Sequence, residues 1–333
     1  MGGTWVTQAM GNLLNEMINY KMERDLILTH YPGYENDYYT INVPGAAPRK
    51  LSHEEASQIS RRAWSIFVNV DGKGCREICP LPFSQLENIV TDRQEIERLD
   101  KMSCKDRLEQ IKHLLTPEEA GILEAMLLHI SGGTMENSGL WDMIRSQALM
   151  MYDPSNFGPI WTTFKLREGQ SELARRMFQN SVDHGLQYAF QTPIKAVKDR
   201  SSPNRNLVEV ITESGTTHRA RRVISTIPLN VLHTIDFEPP LSAKRQEAIR
   251  IGHINFMTKI HADVKGSELA SWNGMRYPNL LMFGYGDGVT PKGNAHIVAF
   301  GKDERDTFVP ERDPEKVINA LEKLHPMEVN KMV

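Results

Sequence analysis

Cysteine is scarce in this chain. Only Cys75, Cys79 and Cys104 occur, too few for a disulfide framework and odd in number, so a reducing compartment is expected. Cys75 and Cys79 sit close together beside proline, but no second pair completes a zinc site, and inert thiols with no bound metal are expected. Long apolar runs are also missing: nothing approaches the roughly 20 residues that span a bilayer, and no signal-peptide pattern opens the sequence. Gly2 lacks the downstream Ser or Thr of a myristoylation signal. Charge of one sign is missing too. A net charge of −3 gives no electrostatic case for nucleic acid or for an anionic membrane surface. Repeats and low-complexity tracts are absent. What remains is a cytoplasmic globular chain. Its 40% hydrophobic and 24% charged residues are ordinary, and 333 residues suffice for two domains and a large core.

The richest stretch runs from Phe164 to Lys259. Phe164 to Leu166 reads as a short strand, and Ser171 as the N-cap of a helix, Glu172 to Asp183, that stops at Gly185. Leu173, Ala174, Met177 and Phe178 share one face of that helix. Pro193 to Val197 and Leu207 to Ile211 read as the arms of a hairpin, and Ser214-Gly215 as a turn. Arg222 to Pro228 reads as a buried apolar strand closed by a proline, which cannot donate to a ladder. Asn255 to Ile260 is another strand-like run, continuing to Val264.

Earlier in the chain, helical periodicity appears from about Gln8 to Met22 and from Ser52 to Val68. Tyr38 to Asn42 reads as a strand. Thr91-Asp92-Arg93-Gln94 reads as a capping box, and Thr116-Pro117-Glu118-Glu119 as a stronger one with proline at the first helical position. That helix breaks at Gly132-Gly133, and another runs from Leu140 to about Met151. Later, Ser242 caps a helix to about Arg250. Trp272 to Phe283 and His296 to Phe300 suggest a mixed or antiparallel sheet, with turns at Gly286-Asp287-Gly288 and Pro291-Lys292-Gly293. A last helix runs from Glu315 to Leu324.

Taken singly these elements name no chemistry; their order does more. The Gly169-Gln170-Ser171 helix start comes first, then Pro193-Ile194 and the Ile224-Ser225-Thr226-Ile227-Pro228 run. Phe237-Glu238-Pro239-Pro240-Leu241-Ser242 and the Thr258-Lys259 strand follow. Together with Gly2-Gly3-Thr4-Trp5-Val6, Ser131 to Ser138 and Gly286 to Pro291, this series resembles the flavin-containing amine oxidases, most nearly their fungal monoamine oxidase branch.

The resemblance implies a mixed α/β fold in two parts. Residues 1–45 and 164–235 would form a partial, Rossmann-like FAD-binding domain, and residues 46–163 and 236–333 a substrate domain. It implies FAD as cofactor, a small-molecule amine as partner, and oxidation of that amine to an imine with release of hydrogen peroxide. Lys259 matches the family lysine that holds a water near the flavin, where burial lowers its proton affinity; a strand lysine facing solvent is the other reading. Gly2, Gly3, Thr4 and Trp5 match backbone that passes the flavin, glycine allowing close approach, although a plain flexible start would look the same. Ile194, Thr226 and Pro228 match positions at the adenine end. Met150, Met151 and Tyr152 are the candidate substrate-lining residues, with ordinary core packing as the alternative.

The family's Gly-X-Gly-X-X-Gly turn and its acidic ribose partner have no match in this sequence. The chain is therefore expected to be truncated at both ends relative to the family, and to hold FAD weakly by itself. A non-catalytic homologue acting as a binding or scaffold protein, or a subunit completed by another polypeptide, would fit the same residues. Some full-length relatives carry a peroxisomal address.

Overall fold

The computed structural model describes residues 4–7, 10–29, 37–81, 92–252, 255, 257–302 and 308–326. Gly2, Gly3 and Thr91 lie outside them. The chain packs as two units, residues 1–177 with 255–333, and residues 178–254. The division differs from the expected one, since residues 1–45 pack with 46–163 in the same unit.

The first unit opens with β1 (Trp5–Val6), α1 (Gly11–Asn19), β2 (Leu26–Leu28), β3 (Tyr38–Ile41) and β4 (Arg49–Leu51). Five helices follow: α2 (His53–Val68), α3 (Arg93–Asp100), α4 (Cys104–Ile111), α5 (Pro117–Ser131) and α6 (Leu140–Leu149). Then come β5 (Phe164–Leu166) and α7 (Gln170–Asp183), which ends in the second unit. That unit holds β6 (Ile194–Asp199), β7 (Val208–Thr212), β8 (Thr217–Ala220), β9 (Asp236–Glu238) and α8 (Ala243–Ile251). The chain returns to the first unit with β10 (Met257–Val264), β11 (Trp272–Met275), β12 (Leu281–Val289), β13 (Ala295–Lys302) and α9 (Pro314–Leu324).

Local chemistry explains most of these boundaries. Thr116 and Glu119 exchange side-chain-to-backbone hydrogen bonds at 2.8 and 3.2 Å, so the capping box read from sequence does start α5. Gly132 ends it with φ 66°, a left-handed conformation that glycine adopts without a Cβ clash. Ser52 and Glu55 cap α2 in the same way. At α3 the cap falls one residue later than expected: Asp92 accepts from the Glu95 N–H at 2.9 Å. Ser171, the expected N-cap of α7, lies inside that helix.

β10, β13, β12, β11, β3 and β4 form a six-stranded sheet in that order, antiparallel except where β11 meets β3. The expected turn at Gly286-Asp287-Gly288 is instead a register shift inside β12. A Cβ on Gly286 would stand 1.8 Å from the Leu269 carbonyl, so glycine is needed there for backbone to approach backbone. β1, β5 and β2 make a smaller sheet. The largest core gathers α2, α4, α5 and α6 around Trp64, Phe67, Leu123, Leu127 and Ile144. Trp64 buries its ring there and donates to Gln147 Oε1 at 2.8 Å.

The second unit is built on the sheet β8-β7-β6-β9, with β9 parallel to β6 and the other pairs antiparallel. Residues 222–228 form no strand here, contrary to the sequence reading: Ile224 is 90% exposed, and Val223 and Ile227 are exposed too. No neighbour pairs with them among the described residues, so a β-branched sequence stays unladdered.

No helix of the described residues is long and apolar enough to cross a membrane. All three cysteines are buried, free thiols. Burial pushes Cys75 and Cys104 up to about 12 and Cys79 up to about 11, far from reactive thiolates.

Candidate active site

The sheet of the first unit sets a row of side chains. Lys259 on β10 faces Phe300 on β13, which in turn faces Phe283 on β12, and residues directly opposite in an antiparallel pair share a face. His129 from α5 stacks on Phe283 at 4.3 Å and meets Phe300 at 4.8 Å between ring centroids. Trp5 lies over the next positions, 6.1 Å from Phe300 and 5.9 Å from Tyr285. Its indole donates to Thr29 Oγ1 at 3.0 Å, and Thr29 donates on to the Thr163 carbonyl at 3.0 Å, which fixes the ring's orientation.

Lys259 is thereby half-buried. Its ammonium sits 5.4 Å above the Phe300 ring and donates to Thr4 Oγ1. Burial pulls its proton affinity below the ordinary lysine range; nearby Asp287 opposes the shift and Lys165 adds to it. Lys165 and Asp287 are themselves ion-paired and nearly buried, and His296 Nδ1 lies 3.7 Å from Asp287. His129 is pushed down to about 4, first by burial and then by the charge of Lys259. At neutral pH its imidazole is uncharged and keeps one nitrogen able to accept a hydrogen bond.

Beside this row opens a cavity of about 470 Å³, a size that suits a small organic molecule. One wall is a face of α2: His53, Ala56, Ser57, Ser60, Arg61 and Trp64, spaced three and four residues apart as a helix requires. α5 adds Ala125, Met126 and His129, and the sheet adds Asn273, Met275, Phe283 and Tyr285. Trp5, Met150 and Phe157 complete the apolar surface. Among the described residues, no carboxylate lines the cavity.

A family model of flavin containing amine oxidoreductases matches residues 1–332. The chain belongs to that family. Among curated proteins it is 23% identical over 273 residues to pseudooxynicotine dehydrogenase from a Pseudomonas species, covering 80% of this chain and 49% of that protein. It is 25% identical over 277 residues to nicotine dehydrogenase from Pseudomonas putida, covering 79% and 50%. The chain thus spans about half the length of the curated relatives it matches, and those relatives are bacterial, where the residue pattern alone pointed to the fungal branch. In fold it is similar to putrescine oxidase, with a TM-score of 0.68 at 15% identity over 98% of this chain and 71% of that one. Cyclohexylamine oxidase from Brevibacterium oxydans follows at a TM-score of 0.64 and 13% identity, over 98% and 70%.

Membership in this flavin amine oxidoreductase family implies FAD. The chemistry of the donors around Lys259 fits the ring end of such a cofactor: a partly desolvated amine, the Thr4 hydroxyl, and the flat wall of Trp5 and Tyr285. Thr4, Trp5 and Lys259, singled out from sequence, are thus brought together. Ile194, Thr226 and Pro228 belong to the second unit, where Ile194 is half-buried and the other two are exposed.

Of the three candidate lining residues, only Met150 faces the cavity. Met151 is 65% exposed, and Tyr152 turns its hydroxyl to the Cys79 carbonyl at 3.0 Å, beneath Arg76. The cause is the end of α6: the helix stops at Leu149, and Met151 and Tyr152 take φ of 57° and 61°, which swings both side chains off the helical stripe. His129 and the α2 face escaped the sequence reading. A histidine on the apolar side of a helix, and small residues spaced three and four apart before a tryptophan, were the signals available.

Proposed function

We propose that this chain carries the amine chamber of a flavin-dependent monoamine-oxidising enzyme, in which the cavity beside Lys259 receives a small amine and yields the imine. FAD, when bound, supplies the acceptor for the hydride leaving the carbon next to nitrogen, and its reoxidation by oxygen releases hydrogen peroxide. Thr4, Trp5 and Lys259 would hold the ring end; Gly2 and Gly3, matched to the flavin by the family resemblance, lie outside the described residues. Ile194, Thr226 and Pro228 would serve the adenine end.

The carrying observation is the Lys259–Thr4 contact over Phe300, whose ring neighbours Trp5 and His129 line an apolar cavity, the histidine being neutral at pH 7. Burial lets Lys259 release and regain a proton at Nζ more readily than an exposed lysine would. His129 can accept an amine N–H, which orients the nitrogen without adding charge. The aromatic wall of Trp5, Phe283 and Tyr285 keeps water from the reacting carbon. Purified protein supplied with FAD should turn yellow, and an amine added under nitrogen should bleach it. Lys259→Met should slow the bleaching by about 10²-fold or more, within the range that a positioned proton-transfer group contributes. A chain that takes up no flavin and binds no amine would remove this reading.

A second reading is a binding protein that keeps the chamber without the reaction. It draws on the exposure of Thr226 and Pro228 within the second unit. Amine binding with no flavin uptake would favour it.

A further inference from the structure

The α2 wall differs chemically from the sheet wall. His53, Ser57, Ser60 and Arg61 bring polar groups to it, while the sheet wall is mostly aromatic. The Tyr39 hydroxyl holds His53 Nδ1 at 3.2 Å, and Ser57 lies 3.5 Å from its other nitrogen. Arg61 Nε donates to the Ser57 carbonyl at 3.1 Å, and the side chain lines the cavity. Among the described residues, Arg61 makes no ion pair. Asp153, whose field reaches Arg61, is engaged by the Ser155 N–H at 2.9 Å and does not line the cavity.

Among the described residues, Arg61 is the one Lys, Arg, Asp or Glu side chain that lines the chamber; the Lys259 ammonium stands outside that lining, over Phe300, with Asp287 near it. A ligand with a second ammonium would meet this cation with no carboxylate in the lining to receive it. A ligand with an acceptor would meet the guanidinium of an arginine, the side chain best suited to a carboxylate.

We propose that Arg61 is a specificity site that binds a hydrogen-bond acceptor at the distal end of an amine substrate, a carboxylate best of all, and that the chamber rejects diamines. This rests on the amine-chamber reading above, and it separates this chain from an enzyme whose substrate carries two ammonium groups.

The test uses the full chain with FAD in excess and reads binding by calorimetry. The probes are 4-phenylbutylamine, 4-(4-aminobutyl)benzoate and 1,4-diaminobutane. The benzoate should bind about tenfold more tightly than phenylbutylamine, the gain expected of a charge-assisted hydrogen bond, and diaminobutane should bind most weakly. Arg61→Gln should erase the benzoate's advantage while leaving phenylbutylamine unchanged, and Arg61→Lys should keep part of it. Arg61 is exposed, and unchanged phenylbutylamine binding reports that each variant is folded. If Arg61→Gln binds the benzoate as tightly as the parent, or diaminobutane rivals phenylbutylamine, the specificity site is wrong and the chamber stands. If phenylbutylamine itself does not bind, the chamber falls and takes this proposal with it.

Discussion

The ammonium of Lys259 adds to burial in keeping a proton off His129. Removing it has a readable effect: in Lys259→Met the His129 ring should titrate above its parent value of about 4, as followed by NMR of the imidazole protons. The same residue links stability to pH. Unfolded, His129 takes a proton near 6.5; folded, near 4. Between those values the unfolded chain binds more protons, so unfolding free energy falls as pH drops through the window and is unaffected by this group above it. The full loss is about 3 kcal/mol. Denaturant titrations at pH 7 and pH 4.5 should show a smaller difference for His129→Gln than for the parent. Lys259 was singled out in the sequence through the order of its neighbours. Its environment was not, because Phe300 and Thr4 reach it only through sheet pairing and a contact spanning most of the chain.

Helices wrote their own boundaries into the sequence where a cap decided them. The Thr116 box could be read directly, since both partners lie within four residues; Thr116→Ala should cost about 1 kcal/mol, measured as a shift in the urea midpoint. Gly286 shows the opposite case. A Gly-Asp-Gly run suggests a turn, yet here it passes under the Leu269 and Ala270 backbone inside β12, a closeness that only the folded sheet creates. The α6 end was missed for a similar reason: apolar periodicity continues through Met151 while the backbone leaves the helix at Met150. The cavity wall on α2 was present as a spacing pattern, but a stripe of small and polar residues reads equally well as a solvated face until the facing wall is known.

At the scale of the whole molecule the two units differ in how much they bury. Among the described residues, the first holds all five apolar clusters, whereas in the second only Ala196, Thr212 and Ile235 are buried. Limited proteolysis should therefore cut first within residues 178–254, and amides of 222–228 should exchange fastest among the extended segments, as mass spectrometry would show. Cutting first within the helices of the first unit would contradict this. The strand reading of 222–228 failed because β-propensity needs a neighbour to pair with, and the described residues supply none. That bare run, Val223-Ile224-Ser225-Thr226-Ile227, has no charge and no proline before Pro228. Concentrated solutions of the polypeptide should cloud through it, one copy templating the next. A lysine at Ile224 should keep them clear, and light scattering would register the difference.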